Sequence, residues 1–414
     1  MRILYITMMN PAVDAILGGM REQELQGLPA MFFPFKMLLE RGCEIDILLF
    51  TEAKKRVKES ECFKEDNLIC VPIKGGLSGK LAFPLIMHHA VRRVLNSKEY
   101  DFVYGMTEGS CIGIREASRR GIPCAIRQYG TQNLTNKIKK IRLKPIRRIY
   151  ALTNNTYILL SMYGKMNFLL ATNDGSCTDE INELLGVKRN FKLYHWRSGI
   201  SIPKSFHAPD MVGERNYPNT YSECRLAHIG RITTIKRQDR SVEILHAMHE
   251  KGYKFHLHFI GEVCENEMIK ALKSLIKQYH LEEYVHFEGA KSQSVCRLYA
   301  RNSFAVFLLS DNNRGNVFYE ALSEGAVILI NNNSSVNDYV RDGENCIACS
   351  TYEEAANKLI QLLHDKTKVE RIRREAYETA VNGFLSLEDR FGREVQLILD
   401  TASGKDTSDY PSVL

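Results

Sequence analysis

From the first residues to about position 400, short apolar runs that suit β-strands alternate with longer stretches of helical period, and the alternation breaks once, near residue 200. A chain with that rhythm folds as parallel sheets covered by helices, because each strand needs a long crossover to return to the same end of the sheet. In the first half the strand-like runs include Ile3 to Thr7, Glu44 to Thr51, Leu68 to Ile73, Phe102 to Met106 and Pro123 to Tyr129. In the second they are Arg225 to Ile232, Phe255 to Gly261, Val285 to Gly289, Phe304 to Ser310 and Ala326 to Asn331. Between the two sets lies SGISIPKSFHAPDMVGERNYPNTYSE, rich in Pro, Ser, Asn and Gly and without an apolar period.

At 414 residues the chain exceeds the size at which a single core keeps growing, and its 44% hydrophobic content lets each half bury a core of its own. The expected architecture is α/β, with two Rossmann-like doubly wound domains facing across a cleft. Residues 1–200 form the first domain, 201–223 a linker, 224–385 the second domain, 386–402 a last helix and 403–414 a polar tail expected to be mobile. Ligands of such sheets bind beyond the carboxyl ends of the strands, so the residues just after each strand are where chemistry is sought.

Composition removes several function classes. Eleven cysteines without a repeated spacing argue for reduced thiols in the cytoplasm, and Cys346 and Cys349 form a lone CxxC in an apolar segment, read as two buried thiols. The opening MRILYITMM has too short an apolar run for a signal sequence and runs straight into Asn10 and Pro11, so it reads as a strand. No stretch approaches the ~18 apolar residues of a bilayer span, so membrane contact is expected to be peripheral at most. A formal charge of +7 suits phosphate-bearing ligands or anionic membranes. Nucleic acid would call for a basic stripe with interleaved aromatics, and the one dense basic run has none within it. His256 and His258 alternate along a strand with no third ligand, and no Asp-x-Asp element stands at a strand end, so neither a metal nor another cofactor is expected.

Two segments carry the chemistry. In HIGRITTIKR a strand ends at Gly230, and Arg231 and Lys236 follow on the loop and at the start of the next helix, placed to grip a diphosphate. Taken alone, they equally describe solvated cations around a turn. In SDNNRGNVFYEALSEGAVILI a strand ends near Ser310, a polar loop holds Asp311, Asn312, Asn313 and Arg314, and Gly315 opens a helix. The amides of Gly315, Asn316 and Val317 would point at an anion, favoured there by the helix dipole. Glu320, one turn further in, suits ribose hydroxyls better than phosphate; taken alone, it is also an ordinary exposed helical glutamate.

Together these segments resemble the retaining, GT-B-fold glycosyltransferases of family 4, the glycosyl transferases group 1, which share a strand-GR-loop-K element and two glutamates separated by seven residues. Gly261 in FIGEV and Gly289 in FEGA match glycine-bearing strand ends that line the family's nucleotide pocket, and DYVRDGENC matches the element after it. FLSLEDRF resembles the segment before the last helix, which in this fold crosses back onto the N-terminal domain. The resemblance implies transfer of a hexose-type sugar, with retention at the anomeric carbon, from a nucleoside-diphosphate sugar held by the C-terminal domain. The acceptor, a glycan or lipid-linked saccharide of polysaccharide synthesis, would sit on the N-terminal domain. Arg231, Lys236 and Glu320 are the implied catalytic set, and no protein nucleophile is named.

The chain departs from the family at several places. Asn312 stands where the first glutamate of the pair would be, with Asp311 beside it; an amide still donates and accepts hydrogen bonds toward the sugar. Tyr129 and Gly130 in RQYGT replace a His-Gly pair on the sugar side, and Ser198 and Gly199 replace an Asn-Gly. Gly18 and Gly19 follow the first strand, either as a loop closing over the donor phosphates or as a plain turn. Two other functions fit the same architecture: a nucleotide-sugar epimerase, which product analysis with donor alone would reveal, and a non-catalytic nucleotide-sugar-binding subunit, suggested by Asn312 and Tyr129.

A further segment, TNKIKKIRLKPIRRIY, carries Lys137, Lys139, Lys140, Arg142, Lys144, Arg147 and Arg148 without one acidic residue. Ile138, Ile141 and Ile149 fall at roughly helical spacing, and Pro145 ends one helix or begins another, so attraction to an anionic membrane through residues 137–148 is expected to come mainly from charge. The alternative is a solvated basic loop. The expected location is the cytoplasm, with peripheral contact on the inner face of the membrane.

Overall fold

A computed structural model describes all residues except 9–12, 14–15, 17–28, 53–66, 75, 129–130, 174–177, 207–221, 311–314, 333–338 and 414. The chain divides into two compact units, one made of Met1–Ser198 with Glu388–Leu414, the other of Gly199–Leu387.

The first unit is built on seven parallel strands: β1 (Arg2–Met8), β2 (Glu44–Glu52), β3 (Leu68–Ile73), β4 (Phe102–Met106), β5 (Cys124–Gln128), β6 (Lys165–Thr172) and β7 (Asn190–Trp196), ordered β3-β2-β1-β4-β5-β6-β7. Alternate residues feed opposite faces, as the two-residue period of a strand requires. Leu4, Ile6, Leu48, Val103 and Ile126 join one buried cluster, while Ile3, Tyr5, Ile47, Leu49 and Tyr104 join another. With both faces buried, the strands read as continuous apolar runs, which is why they stand out in the sequence.

The second unit has six parallel strands, β8 (Ser222–Ile229), β9 (His256–Ile260), β10 (Val285–Gly289), β11 (Ser303–Leu308), β12 (Ile328–Asn331) and β13 (Ile347–Cys349), ordered β10-β9-β8-β11-β12-β13. In both sheets the winding reverses beside the first strand, between β1 and β4 and between β8 and β11. A crevice opens at such a switch point, and doubly wound sheets bind their ligands there. Cys346 and Cys349 are buried around β13; Cys349 Sγ lies 3.4 Å from the Ile330 carbonyl oxygen, and burial pushes its thiol up to about 11.

Two stretches differ from what their composition suggests. The end of the chain is held rather than loose: Trp196 Nε1 donates to the Pro411 carbonyl at 2.6 Å, Tyr194 Oη donates to the Thr407 carbonyl at 3.0 Å, and Val413 bridges to His195. Polarity alone misses this because the anchors are backbone groups meeting aromatic side chains at the sheet edge. The first residues of the Pro-rich segment also pack. Ile200 is buried in the second unit's core, Ile202 lies against it, and Pro203 O accepts from Tyr377 Oη at 3.0 Å. The helix Leu387–Ala402 packs in the first unit through Val395, Leu397 and Ile398.

That helix also brings charge into the core of the first unit. Glu394 Oε2 accepts from Arg127 Nη1 and from Arg390 Nη1, each at 3.0 Å, and Glu394 Oε1 accepts from Tyr104 Oη at 2.8 Å. All four side chains are buried, and Arg390 lies over the Trp196 ring, 4.9 Å from its centroid. Burial pulls the Arg390 guanidinium down to about 10 against the pull of Glu394, and the same burial drives the Tyr104 phenol well above its ordinary range.

Candidate active site

At the carboxyl ends of β8 and β11 the second unit opens a pocket. His228 and Ile229 line it from β8, Leu308, Leu309 and Ser310 from the end of β11, and Ile330 from β12. Lys236 enters from the loop after β8, and Gly315, Val317 and Phe318 close it from the helix Asn316–Ser323. Cation and helix N-terminus, some 80 positions apart in the chain, thus meet at the switch point.

The loop that carries Lys236 is fixed on several sides. Ile232 is buried, its amide donating to the Glu262 carbonyl at 2.8 Å. The buried Gln238 amide donates to the Arg231 carbonyl at 2.9 Å, and the Thr234 amide donates to Glu265 Oε2 at 2.8 Å. Hydrogen bonds from the Thr234 hydroxyl and then from its amide hold the Glu265 carboxyl below the usual carboxylate range. Lys236 ends a 3-10 turn, Thr234–Lys236, after which Arg237 takes a left-handed backbone (φ 57°) and forks onto Asp239. The stem of Lys236 passes over Gly230, with carbons 3.7 Å from where a Cβ would stand. Arg231, by contrast, is exposed at the strand end, and its side chain is not among the groups lining the pocket.

Three strand-end glycines stand in a row. The Gly230 amide donates to the Ile260 carbonyl at 2.8 Å, and the Gly261 amide donates to the Gly289 carbonyl at 2.9 Å. A Cβ on Gly261 would come within 2.1 Å of the Gly230 carbonyl oxygen, so the two backbones can approach only because position 261 has no side chain. Gly289 has φ 70° and open space around it.

Gly315 caps the helix Asn316–Ser323 without a side-chain bond. The first N–H groups of a helix have no acceptor within it, so those of Asn316 and Val317 remain available for an anion, aided by the dipole. Glu320 lies one turn on, half-buried, with Oε1 accepting from Gln293 Nε2 at 2.7 Å. Burial raises its pKa, and the Gln293 bond and the Arg297 cation oppose the rise.

The structure therefore brings together Lys236, Gly315 and Val317, sets Gly230 beneath the lysine, and aligns Gly261 and Gly289 on the neighbouring strands. Gly19, Tyr129, Gly130 and Asn312 lie outside the described residues. One lining residue has no part in the sequence argument. His228 is buried, its Nδ1 is 2.7 Å from Ser241 Oγ, and burial first, then the Lys236 charge, pulls it down to about 3. It presents a neutral ring to the pocket.

Comparison with known proteins bears on the same region. The family model described as "Glycosyl transferases group 1" matches residues 222–379, which take in both arms of the pocket. No curated protein matches the sequence significantly. Among solved structures, HepE of Anabaena in complex with UDP shares 16% identity at a TM-score of 0.65, over 98% of this chain and 100% of its own. Sucrose-phosphate synthase of Thermosynechococcus elongatus shares 14% at a TM-score of 0.68, over 98% and 100%. WaaG, a glycosyltransferase involved in lipopolysaccharide biosynthesis, shares 14% at 0.61, over 96% and 99%. At such identities the likeness is one of fold, and it runs the length of the chain. The chain therefore has the GT-B fold, and its residues 222–379 match the model of the glycosyl transferases group 1.

Proposed function

We propose that the protein is a retaining glycosyltransferase that moves a hexose-type sugar from a nucleoside-diphosphate sugar to a hydroxyl of a glycan or lipid-linked saccharide. The observation that carries this reading is the meeting of Lys236 with the N-terminus of the helix Asn316–Ser323 in one pocket at the β8/β11 switch point. HepE is solved with UDP-glucose, which supports a UDP-sugar as the first donor to test. The role of WaaG in lipopolysaccharide synthesis supports a saccharide acceptor on a lipid.

In this reading the diphosphate lies between Lys236 and the first-turn amides, with Arg231 folding in from the rim as a second cation. Gly230 and Gly261 leave room for it and Gly289 for the base, and Gly19 is assigned to donor binding on the family resemblance alone. As the bond from the anomeric carbon to phosphate oxygen breaks, negative charge grows on the departing diphosphate, and these fixed positive groups stabilise it. The acceptor oxygen bonds to the anomeric carbon on the face the phosphate leaves, and its proton goes to the departing phosphate. Glu320 accepts from the ribose hydroxyls through the carboxylate oxygen that Gln293 does not hold. Asn312 reads the transferred sugar, and Tyr129 and Gly130 stand on the acceptor side. No metal is assigned a step. The nine free cysteines among the described residues agree with a cytoplasmic setting. Among those residues no helix is long and apolar enough to cross a membrane.

Thermal shift with UDP-glucose and with other nucleotide sugars tests the reading. A donor at 100 times its Kd stabilises by about 2.7 kcal/mol, and Lys236→Ala should abolish most of that shift. Product analysis with donor alone and then with acceptor separates transfer from epimerisation. If no nucleotide sugar or nucleoside diphosphate shifts the wild type, the pocket is not a donor site. Asn312→Glu should change the ratio of rates between donors more than it changes nucleoside diphosphate affinity.

A further inference from the structure

The basic segment of the first unit divides, in the folded chain, into cations that hold the fold and cations that face water. The helix Gln132–Lys139 carries Lys137 and Lys139 in its last turn, and a second helix, Lys144–Asn154, begins with Pro145 in its first turn. Arg147 Nη1 donates to the Leu184 carbonyl at 3.2 Å, while Arg148 donates through Nε to Leu185 O at 2.8 Å and through Nη2 to Gly186 O at 2.7 Å. These two arginines satisfy the orphan carbonyls at the end of the helix Thr178–Leu185. Lys139 is paired with Glu180. Lys137, Lys140, Arg142 and Lys144 remain, all exposed.

The apolar residues divide as well, and not along the stripe of isoleucines read from spacing. Ile138 is in the core and Ile141 is half-buried. Outside lie Leu143, Ile146, Ile149 and Leu152, with 61%, 48%, 61% and 49% of their surface exposed. They follow one another at intervals of three, Leu143 as the extended residue that caps the helix Lys144–Asn154 and the other three within it, and the inner side of that helix packs through Tyr150 and Ala151. Of the 14 large hydrophobic side chains exposed among the described residues, these four fall within ten consecutive positions. Single exposed apolar residues need no explanation, but a contiguous row beside cations does. The sequence around it is one-signed: no Asp or Glu occurs between Glu116 and Asp174.

We propose that this helix lies in the surface of an anionic lipid bilayer, with Leu143, Ile146, Ile149 and Leu152 entering the acyl boundary and Lys140, Arg142 and Lys144 meeting the headgroups. The occupant follows from the chemistry. A protein groove able to cover the apolar row would also have to match its cations with fixed acids, whereas an anionic bilayer supplies apolar depth and negative charge together, side by side along the whole helix. The acyl boundary takes up the apolar row, so attachment is not a matter of charge alone. The proposal does not depend on the donor pocket, which lies in the other unit.

Flotation of the full chain with vesicles of equimolar phosphatidylglycerol and phosphatidylcholine, and with phosphatidylcholine alone, tests it. The wild type should float with the anionic vesicles, and its binding should fall on the neutral ones and in high salt. Ile146→Ser with Ile149→Ser should weaken partition at least about tenfold. Lys140→Gln, Arg142→Gln and Lys144→Gln together should weaken it by about 100-fold, at about fivefold per cation. Arg147 and Arg148 stay in place because they hold the fold, and both variants should keep the wild-type melting temperature because every changed residue is exposed. A wild type that stays at the bottom with anionic vesicles overturns the proposal, as does a serine variant that floats as the wild type does. A lipid-free dimer that the serine variant converts to a monomer would assign the face to a second copy instead.

Discussion

The two units wind their sheets in the same order and put cations at the carboxyl ends of their central strands to opposite uses. Arg127, near the end of β5, is wholly buried and answered by Glu394 from the chain's last helix. Lys236, just after β8, is half-buried and lines a pocket together with His228, Ser310 and apolar groups, with no carboxylate among the lining residues. A buried cation needs a protein anion, since desolvation otherwise outweighs any gain. A cation meant for a ligand must keep part of its surface open. The same topology therefore holds a locked interior in one unit and an open pocket in the other, and substitutions should tell the two apart.

The largest effect expected is on the locked side. Glu394→Ala leaves two buried guanidinium groups, Arg127 and Arg390, without their carboxylate, and should cost about 3–5 kcal/mol of stability. Trp196 is the single tryptophan and lies under Arg390, so its fluorescence during denaturant unfolding reports this unit directly. A loss below about 1 kcal/mol would mean that the network does not hold the last helix.

Acid should act next, and on the other unit. Burial pulls His258 down to about 4 and His228 to about 3, from an ordinary 6.5, so the unfolded chain takes up protons first as pH falls. Their contribution is complete above pH 6.5 and drains away as pH drops toward 3, on the order of 3 kcal/mol for each imidazole. Hydrogen exchange of β8 and β9 amides across that range reads it. Protection that stays constant to pH 4, after correction for intrinsic exchange, would show that these rings are not kept neutral by the fold.

Lys236→Ala should then lower turnover about 100-fold, near 2.7 kcal/mol of transition-state stabilisation, while leaving denaturant unfolding almost unchanged. That is the reverse of the Glu394→Ala signature, and a lysine variant that lost stability but not turnover would return Lys236 to the structural class. Arg231→Ala is expected to show the same kinetic signature, and steady-state rates with saturating donor measure both. The smallest pair contrasts two glycines in one row. Gly261→Ala pushes a methyl into the Gly230 carbonyl and should cost about 1–3 kcal/mol along with donor affinity. Gly289→Ala meets nothing and should cost only about 1 kcal/mol for its left-handed backbone. Equal melting temperatures for the two would mean that the close approach at Gly261 relaxes freely.

How far the sequence can be read depended on how strongly each element is one-sided. β4 and β5 are buried from end to end and β1 from Ile3 to Thr7, and all three are legible as apolar runs. β6 was not singled out, because the helix Thr156–Met162 and the strand Lys165–Thr172 are separated by two residues and merge into one apolar stretch. β7 is an edge strand whose burial alternates, and its seven residues carry too little pattern to stand out. In the site, HIGR with Lys236 and the glycine opening the helix Asn316–Ser323 were legible, because a strand end, a cation and a helix start each leave a local mark. His228 was not, because what puts it in the pocket is its place on β8 beside β11.

By itself the sequence determined the alternation of strands and helices, the two-part division and the family likeness of the second half, since all three rest on local period and on motifs a few residues long. Only the tertiary structure decided which charges are open and which are closed. Seven cations within residues 137–148 look alike in sequence, yet Arg147 and Arg148 end on backbone carbonyls and Lys139 on Glu180, whereas Lys140, Arg142 and Lys144 face water. Arg127 and Arg390 carry no local mark that sets them apart from other arginines, and they are in the interior of the first unit. The reason is physical: whether a charge is solvated, paired or aimed at a ligand depends on groups brought near it by folding, and no window of neighbouring residues contains them.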